Sequence, residues 1–449
     1  MKNLKVKWWI IFMMIATFVW TNFTAAMGQE KLGVFKKANI DWTQCKGEHI
    51  SILSIPHAYM LALEPHIPEF EKLTGIDVSI EMLGEVEMRR KRTIDLSMGA
   101  GLYDVLNIGL SIIPQYAQAY WLADLRPFLK DPKLTDNVWY KYEGIGEPFR
   151  KWNTAKDGRI LAIPVNGSGP ILWYRTDIFD KYGITPPDTW EEVVEMKKKL
   201  QAKLDTDPVY KGVYAYCMRA GRGAGANTWN VCPLIYDYGG KIFDEHMKAV
   251  FDSPEACKAL EMYRALQVGY GNPPGSEGID FYTMVDMFAA GNLASMFAGI
   301  DHIVFINDPT KCAYYDRWDA TLPPRGPAGR YSSLWTWALG INHASRHKKA
   351  AWLFIQWASS EPIEGLMGPN CTPSRLVLWE TEPFRKLRAQ GWVKAAKWYW
   401  KHGVVTEPLI PKFREVGEVM SVAFLDILRG APVKETLSKA CKEVDKILG

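Results

Sequence analysis

Gly221-Arg222-Gly223-Ala224-Gly225-Ala226 fits the loose GxGxxA form of a loop that wraps a dinucleotide, and the strand-like stretch Val213–Met218 precedes it. The polar run Asn227-Thr228-Trp229-Asn230 follows where an apolar helix turn should begin. The loop is therefore read as a ligand loop or a plain flexible one, not a nucleotide cradle. Gly167-Ser168-Gly169 and Gly275-Ser276 lack the spacing of a nucleophile elbow. There is no HExxH motif and no P-loop. His343 and His347 stand four apart, but Ser345 between them reads as a helix cap, so they are taken as surface residues. The 50 acidic residues give many carboxylate pairs, and no motif singles one out for glycoside hydrolysis.

The aromatic content carries more information. Nineteen tryptophans and 20 tyrosines exceed what a core needs, and Trp229, Trp335 and Trp337 fall beside expected strand ends. Asn107, Asn166, Asn227 and Asp301 occupy comparable positions. Flat apolar rings beside planar amides suit a sugar, which has C–H faces and a belt of hydroxyls. Packing into the core is the alternative for each ring. Arg219, Arg222 and Arg375 open a second reading, because guanidinium forks grip carboxylate and phosphate. Plain surface solvation is the alternative for the first two.

Several classes drop out on composition. Lys2, Lys5 and Lys7 precede the apolar run Trp8–Trp20, and Thr24-Ala25-Ala26 offers small residues for cleavage. That order is a secretory leader over residues 1–26, with a retained anchor as the alternative. The run of 13 residues is short of the roughly 20 that span a bilayer. An exported, soluble, periplasmic protein is expected. The net charge is +4, and the three leader lysines leave +1 on the mature chain. No basic stripe for nucleic acid is present, and Arg89-Arg90-Lys91-Arg92 reads as a solvated helix face. Seven cysteines without a CxxC spacing disfavour zinc and redox pairs, and an odd count leaves at least one free.

About 420 mature residues call for two or three lobes. Ile50–Ile55, Ile76–Met82 and 103–108 read as strands, with helices over Pro65–Gly75 and Val86–Met98. This alternation predicts an α/β domain with a mainly parallel sheet and ligand loops at His57 and at Asn107–Gly109. Further strands are expected at Ile160–Pro164, Ile171–Tyr174 and Trp335–Ile341. Thr189 and Glu192 form a capping box for a helix that turns Lys197, Lys198 and Lys199 to solvent. Ser253-Pro254 starts another helix, and Ser345 is expected to cap a third that runs to Trp357. The segment 380–449 reads as mostly helical.

Ile163–Trp190 and the segments after it resemble the carbohydrate-uptake group of extracellular solute-binding proteins. The pattern is a hydrophobic strand, an aromatic residue, Gly183, then Pro186-Pro187 and Thr189-Trp190 with Glu192; Arg175 stands where relatives carry Asn. Phe288, Gly291, Ala294, Met296 and Gly299 resemble a second family segment. Ala338–Ile341 with Ala350–Phe354, and Pro373-Ser374-Arg375, resemble two more. The resemblance implies a two-lobed, type II periplasmic-binding-protein fold with the ligand cleft between lobes joined by three crossovers. One lobe would take 46–164 and 322–360, the other 165–321 and 361–449. By position it implies ligand contacts from His57, Tyr59, Asn107, Asn166, Ser168, Asn227, Trp229, Asp301, Trp335, Trp337 and Arg375. Trp335-Thr336 replaces a Gly-Gly pair common in relatives, which narrows the expected cleft. The implied protein is a monomeric receptor, not an enzyme, with no cofactor. It delivers a sugar, short oligosaccharide or polyol to the permease of an ABC importer with its cytoplasmic ATPase. An anionic solute, and more remotely a secreted glycosidase, are the alternatives.

Overall fold

Short, mostly buried apolar runs give nine strands among the described residues of the computed structural model, 33–449. They are β1 (His49–Ser54), β2 (Asp77–Met82), β3 (Val105–Gly109), β4 (Ile163–Ser168), β5 (Pro170–Arg175), β6 (Cys217–Met218), β7 (Ser295–Gly299), β8 (Trp318–Thr321) and β9 (Trp335–Ile341). The leader expected at 1–26 lies outside the described residues. One sheet has the order β2-β1-β3-β9-β4 and the other β6-β7-β5-β8.

The sheets are mixed, not mainly parallel. β1 is parallel to β2 and β3, but β9 runs antiparallel to both β3 and β4. β5 runs antiparallel to β7 and β8, leaving only the short β6–β7 pair parallel. The chain path explains this. β4 leads into the second sheet with only Gly169 before β5, and the chain returns over residues 322–334 into β9. A strand arriving from the far sheet runs opposite to the strand that left for it. β4 pairs with β9 as far as Ser168, so the change of sheet falls at Gly169, beyond the expected boundary at Pro164.

The helices used below are α1 (Glu85–Met98), α2 (Trp190–Leu204), α3 (Asn227–Asp237), α4 (Pro254–Gln267), α5 (Phe281–Ala289), α6 (Lys348–Ala358), α7 (Gln390–His402), α8 (Phe413–Leu428) and α9 (Val433–Leu448). The Thr189–Glu192 capping box opens α2, and Ser253 caps α4 through Ala256 N–H. Lys197 departs from the solvated reading: it is buried, and its ammonium donates to the carbonyls of Ala265 and Leu266 and to Asn272 Oδ1. α4 lies over that face of α2, and the exposed C=O groups at its end supply the acceptors. Ser345 does not cap α6. Its hydroxyl donates to Asp104 at 2.6 Å and accepts from His347 N–H, and the helix starts only at Lys348. Ser360 caps the next helix, Glu361–Met367, so Glu361-Pro362 begins an element of its own after α6.

Helices α4, α8 and α9 cover one face of the second sheet around Phe297, Leu260 and Phe424. A larger core runs continuously from Phe70 and Trp357 beside the first sheet to Trp318 and Trp392 beside the second. α7 closes it. The Tyr399 hydroxyl donates to Ser168 O and Ser333 O and accepts from Trp335 N–H at 3.0 Å, gripping two passages between the sheets at once. All seven cysteines are unpaired thiols. No described helix is long and apolar enough to cross a membrane.

Candidate functional site

Strand alternation puts Trp335 and Trp337 on one face of β9. Their rings meet edge to face at 5.5 Å. Trp337 stacks on His57 at 5.3 Å and 23°. Gly109 on β3 makes room for them, since a Cβ there would lie 2.6 Å from Trp335. These rings form one wall of a cavity of about 60 Å3 between the two sheets. The rest of the lining comes from Ser168, the cross-strand neighbour of Trp335 at the end of β4, Asp301 and His302 after β7, Trp229 from α3, and Phe281 and Tyr282 from α5.

The polar groups are arranged for hydroxyls. Asp301 accepts from Ser168 O–H and meets His302 Nδ1 at 3.2 Å. Gly299 must lack a side chain, because a Cβ would sit 2.4 Å from Asp301 Oδ1. Burial pushes the Asp301 carboxyl upward, but His302 and the Ser168 hydroxyl outweigh that and hold it below its ordinary value, so it is ionised. Asn107 Nδ2 donates to His57 Nε2 at 2.9 Å, which puts the imidazole proton on Nδ1. Asn166 Oδ1 accepts from Trp337 N–H at 3.1 Å. His57 Nδ1 and Trp229 Nε1 on the wall, with Asn107 Oδ1 and Asn166 Nδ2 behind it, are buried and take no hydrogen bond from the described residues. Two free donors and an anionic acceptor in the cavity lining suit a guest that both donates and accepts.

Of the eleven residues expected from sequence, six line the cavity: His57, Ser168, Trp229, Asp301, Trp335 and Trp337. Asn107 and Asn166 stand one layer behind. Tyr59, Asn227 and Arg375 do not reach it. The Tyr59 hydroxyl donates to Ala358 O at 2.6 Å within the core, and Asn227 Nδ2 donates to Ser421 O. Arg375 is buried, donating to Ser359 O at 2.6 Å and Lys141 O at 3.0 Å, so it ties loops together. Glu85, Phe281, Tyr282 and His302 were missed, while Arg219 entered the reading only through the anionic alternative. The signal for Glu85 was present: it opens a helix directly after a strand end, where α/β ligands sit. The basic run on α1 also departs from a solvated face. Arg92 is buried against Tyr116 O–H and Asn107 O, and Arg89 pairs inward with Glu85. Burial raises Glu85, but Arg89, Arg219 and Arg414 together hold its carboxyl below the usual range.

Burial lowers His57 to about 4, with Asp301 and Glu85 opposing it. The imidazole is therefore neutral at pH 7. An unfolded chain takes up that proton near 6.5, so between about 6.5 and 4 acid favours the unfolded state. Stability falls as pH falls through that window, by about 2 kcal/mol between pH 7 and 5 from this group. His57→Gln lacks the effect. The wild-type minus variant difference in unfolding free energy is expected to shift by that amount between pH 7 and 5 in urea titrations. A pH-independent difference would contradict a buried neutral imidazole.

Two sheets exchanging a chain at several crossovers, with a walled cavity between them, define a hinged two-lobed binding protein of the type II periplasmic class. The model of bacterial extracellular solute-binding proteins matches residues 56–364, and the chain belongs to that family. An erythritol/L-threitol-binding protein of Mycolicibacterium smegmatis is 27% identical over 425 residues, spanning 90% of this chain and 86% of that protein. A mannitol-binding protein of Pseudomonas aeruginosa is 26% identical over 319 residues, 70% of this chain and 69% of its own length. Among solved structures, an ABC transporter solute-binding protein from Agrobacterium vitis S4 with bound D-mannitol has a TM-score of 0.78 and 26% identity. It covers 90% of this chain and 98% of its own.

Proposed function

We propose that this protein is the exported, monomeric receptor of an ABC importer and that it captures a polyol or a small sugar. The lobes would comprise about 46–168 with 322–360, and 169–321 with 361–449. The solute would be recovered unchanged. The observation that carries this reading is a cavity among the described residues whose lining combines tryptophan rings, an ionised aspartate and free imidazole and indole N–H groups. Rings cover C–H faces, while Asp301, His57 and Trp229 bond hydroxyls. The cavity is small, about 60 Å3, which favours a short chain over an oligosaccharide held within it. Relatives named for erythritol, L-threitol and mannitol support the same solute class.

Capture requires that the solute bind the closed form better than the open one, which contact with both walls supplies. Titration calorimetry with four- to six-carbon polyols, monosaccharides and maltose tests it. Heat is expected from at least one polyol or monosaccharide and little from maltose. Silence across the polyols and monosaccharides would refute the proposal.

A further inference from the structure

Outward from the tryptophan-lined cavity the cleft widens into a groove of about 900 Å3. Arg219, Glu85, Phe281 and Tyr282 line both spaces, so the two are continuous. Five arginines face the groove: Arg89 and Arg90 from α1, Arg219 and Arg222 beside the glycine loop, and Arg414 from α8. Against them stand three carboxylates, Glu85, Asp280 and Glu418. Each is already engaged. Glu85 pairs with Arg89, Glu418 accepts from Arg222 at 2.5 Å, and Asp280 caps α5 through Thr283 N–H at 2.8 Å. Arg219 reaches Glu85 only at 3.9 Å, beyond hydrogen-bond range, and Arg90 and Arg414 form no ion pair among the described residues. Arg92, buried behind, bonds only the neutral oxygens of Tyr116 and Asn107. Glu407 lies beneath the loop and accepts from Thr228 O–H, but burial pushes its carboxyl up to about 7, so it offsets this charge only in part.

The glycine loop belongs to the same place. Gly221, Gly223, Ala224 and Ala226 line the groove and lead into the N-terminus of α3, whose cap residue Ala226 supplies no side-chain acceptor. The positive end of α3 thus lies behind a loop flanked by guanidinium groups, with Asn227 and Thr228 themselves buried. This is donor chemistry for an anion. The mature chain carries little net charge, so the excess is local to the cleft.

We propose that the solute carries an oxyanion at one end, a carboxylate or a phosphate monoester, seated by this groove while its polyhydroxylated body fills the inner cavity. The proposal rests on the solute-binding reading above and narrows its solute class. Arginine forks bind either oxyanion in two-point fashion, and Arg90, Arg222 and Arg414 reach the groove from its exposed rim.

Calorimetry on the full mature chain with ribitol, ribonate and ribitol 5-phosphate tests it, at roughly 20 and 500 mM NaCl. At low salt one of the two acids is expected to bind at least tenfold tighter than ribitol, and which acid wins identifies the oxyanion. The ratio is expected to shrink at high salt, as screening requires. In Arg414→Gln and Arg90→Gln, each checked for an unchanged melting midpoint, the acid-to-ribitol ratio is expected to fall severalfold. Ribitol binding as tightly as both acids, with no salt dependence, would overturn the anionic solute and leave the polyol receptor standing. No heat from any of the three, or from the wider polyol and sugar panel, would overturn both.

Discussion

Gly169→Ala is expected to destabilise the protein by about 3 kcal/mol or more and to weaken solute capture at the same time. Gly169 is the single residue between β4 and β5, where the chain changes sheets. A Cβ added there would lie 1.8 Å from Tyr399 Cε2 and 2.0 Å from Cζ, well inside contact distance. The ring cannot swing clear, because Tyr399 is fully buried and packs against Trp400 at 5.7 Å. Moving it also breaks the hydroxyl's hold on Ser168 O, Ser333 O and Trp335 N–H. One side chain thereby sets the spacing of two crossovers, and that spacing sets how the cavity walls meet. Tyr399→Phe keeps the ring and removes only the hydroxyl, so it is expected to cost about 1–2 kcal/mol. Combining Gly169→Ala with Tyr399→Ala removes the clash, and the double variant is expected to be more stable than the sum of the single losses. Denaturant midpoints and calorimetric affinities measure all five proteins, wild type and the single Tyr399→Ala variant included. Wild-type stability in Gly169→Ala would show that α7 does not clamp the crossover.

This clamp is also where sequence reasoning reaches its range. Tyr399 and Ser168 are 231 residues apart, and no local pattern joins them. Elements marked by local chemistry were legible: the Thr189 capping box, the Gly75 helix stop and the alternation through Trp335 and Trp337 all reflect forces within a few residues. The tryptophan wall was legible for the same reason, since strand alternation puts both rings on one face. What depends on a distant partner was not. Arg375 and Tyr59 are residue types that suit a ligand cleft, yet distant carbonyls claim them inside the core. Lys197 read as a solvated helix residue because its acceptors sit on α4, about seventy positions away. Arg89 and Arg92 misled in the same direction: four consecutive cations suggest solvent, but a helix has an inner face, and two of them fall on it. The direction of β9 was out of reach because it follows from the chain's route through the other sheet.

Trp337→Ala is expected to lower solute affinity about 100-fold or more, the largest effect of any single truncation in the cavity. The indole serves three contacts at once: it walls the cavity, stacks on His57 and braces Trp335 edge to face. Truncating a buried aromatic anchor of this kind costs about 3–4 kcal/mol of binding, and each 1.4 kcal/mol is tenfold in affinity. The loss exceeds the missing contact area because His57 loses the ring that fixes its plane, and with it the aim of Nδ1. The strand itself should survive. β9 keeps its ladder to β3 and β4, and the Trp337 backbone N–H still donates to Asn166 Oδ1. Truncating this buried ring also leaves a cavity that costs about 3–5 kcal/mol of stability, so affinities are compared where every variant is fully folded. Trp337→Phe restores a ring at the same position and is expected to recover most of the affinity. Asp301→Asn supplies the complementary comparison, since it keeps the shape while removing the charged acceptor proposed to bond the solute's hydroxyls. Titration of each variant with the tightest-binding polyol or sugar of the panel measures the ratios. An affinity for Trp337→Ala within about threefold of wild type would mean that the solute does not rest on this wall, and the cavity would lose its claim to be the binding site.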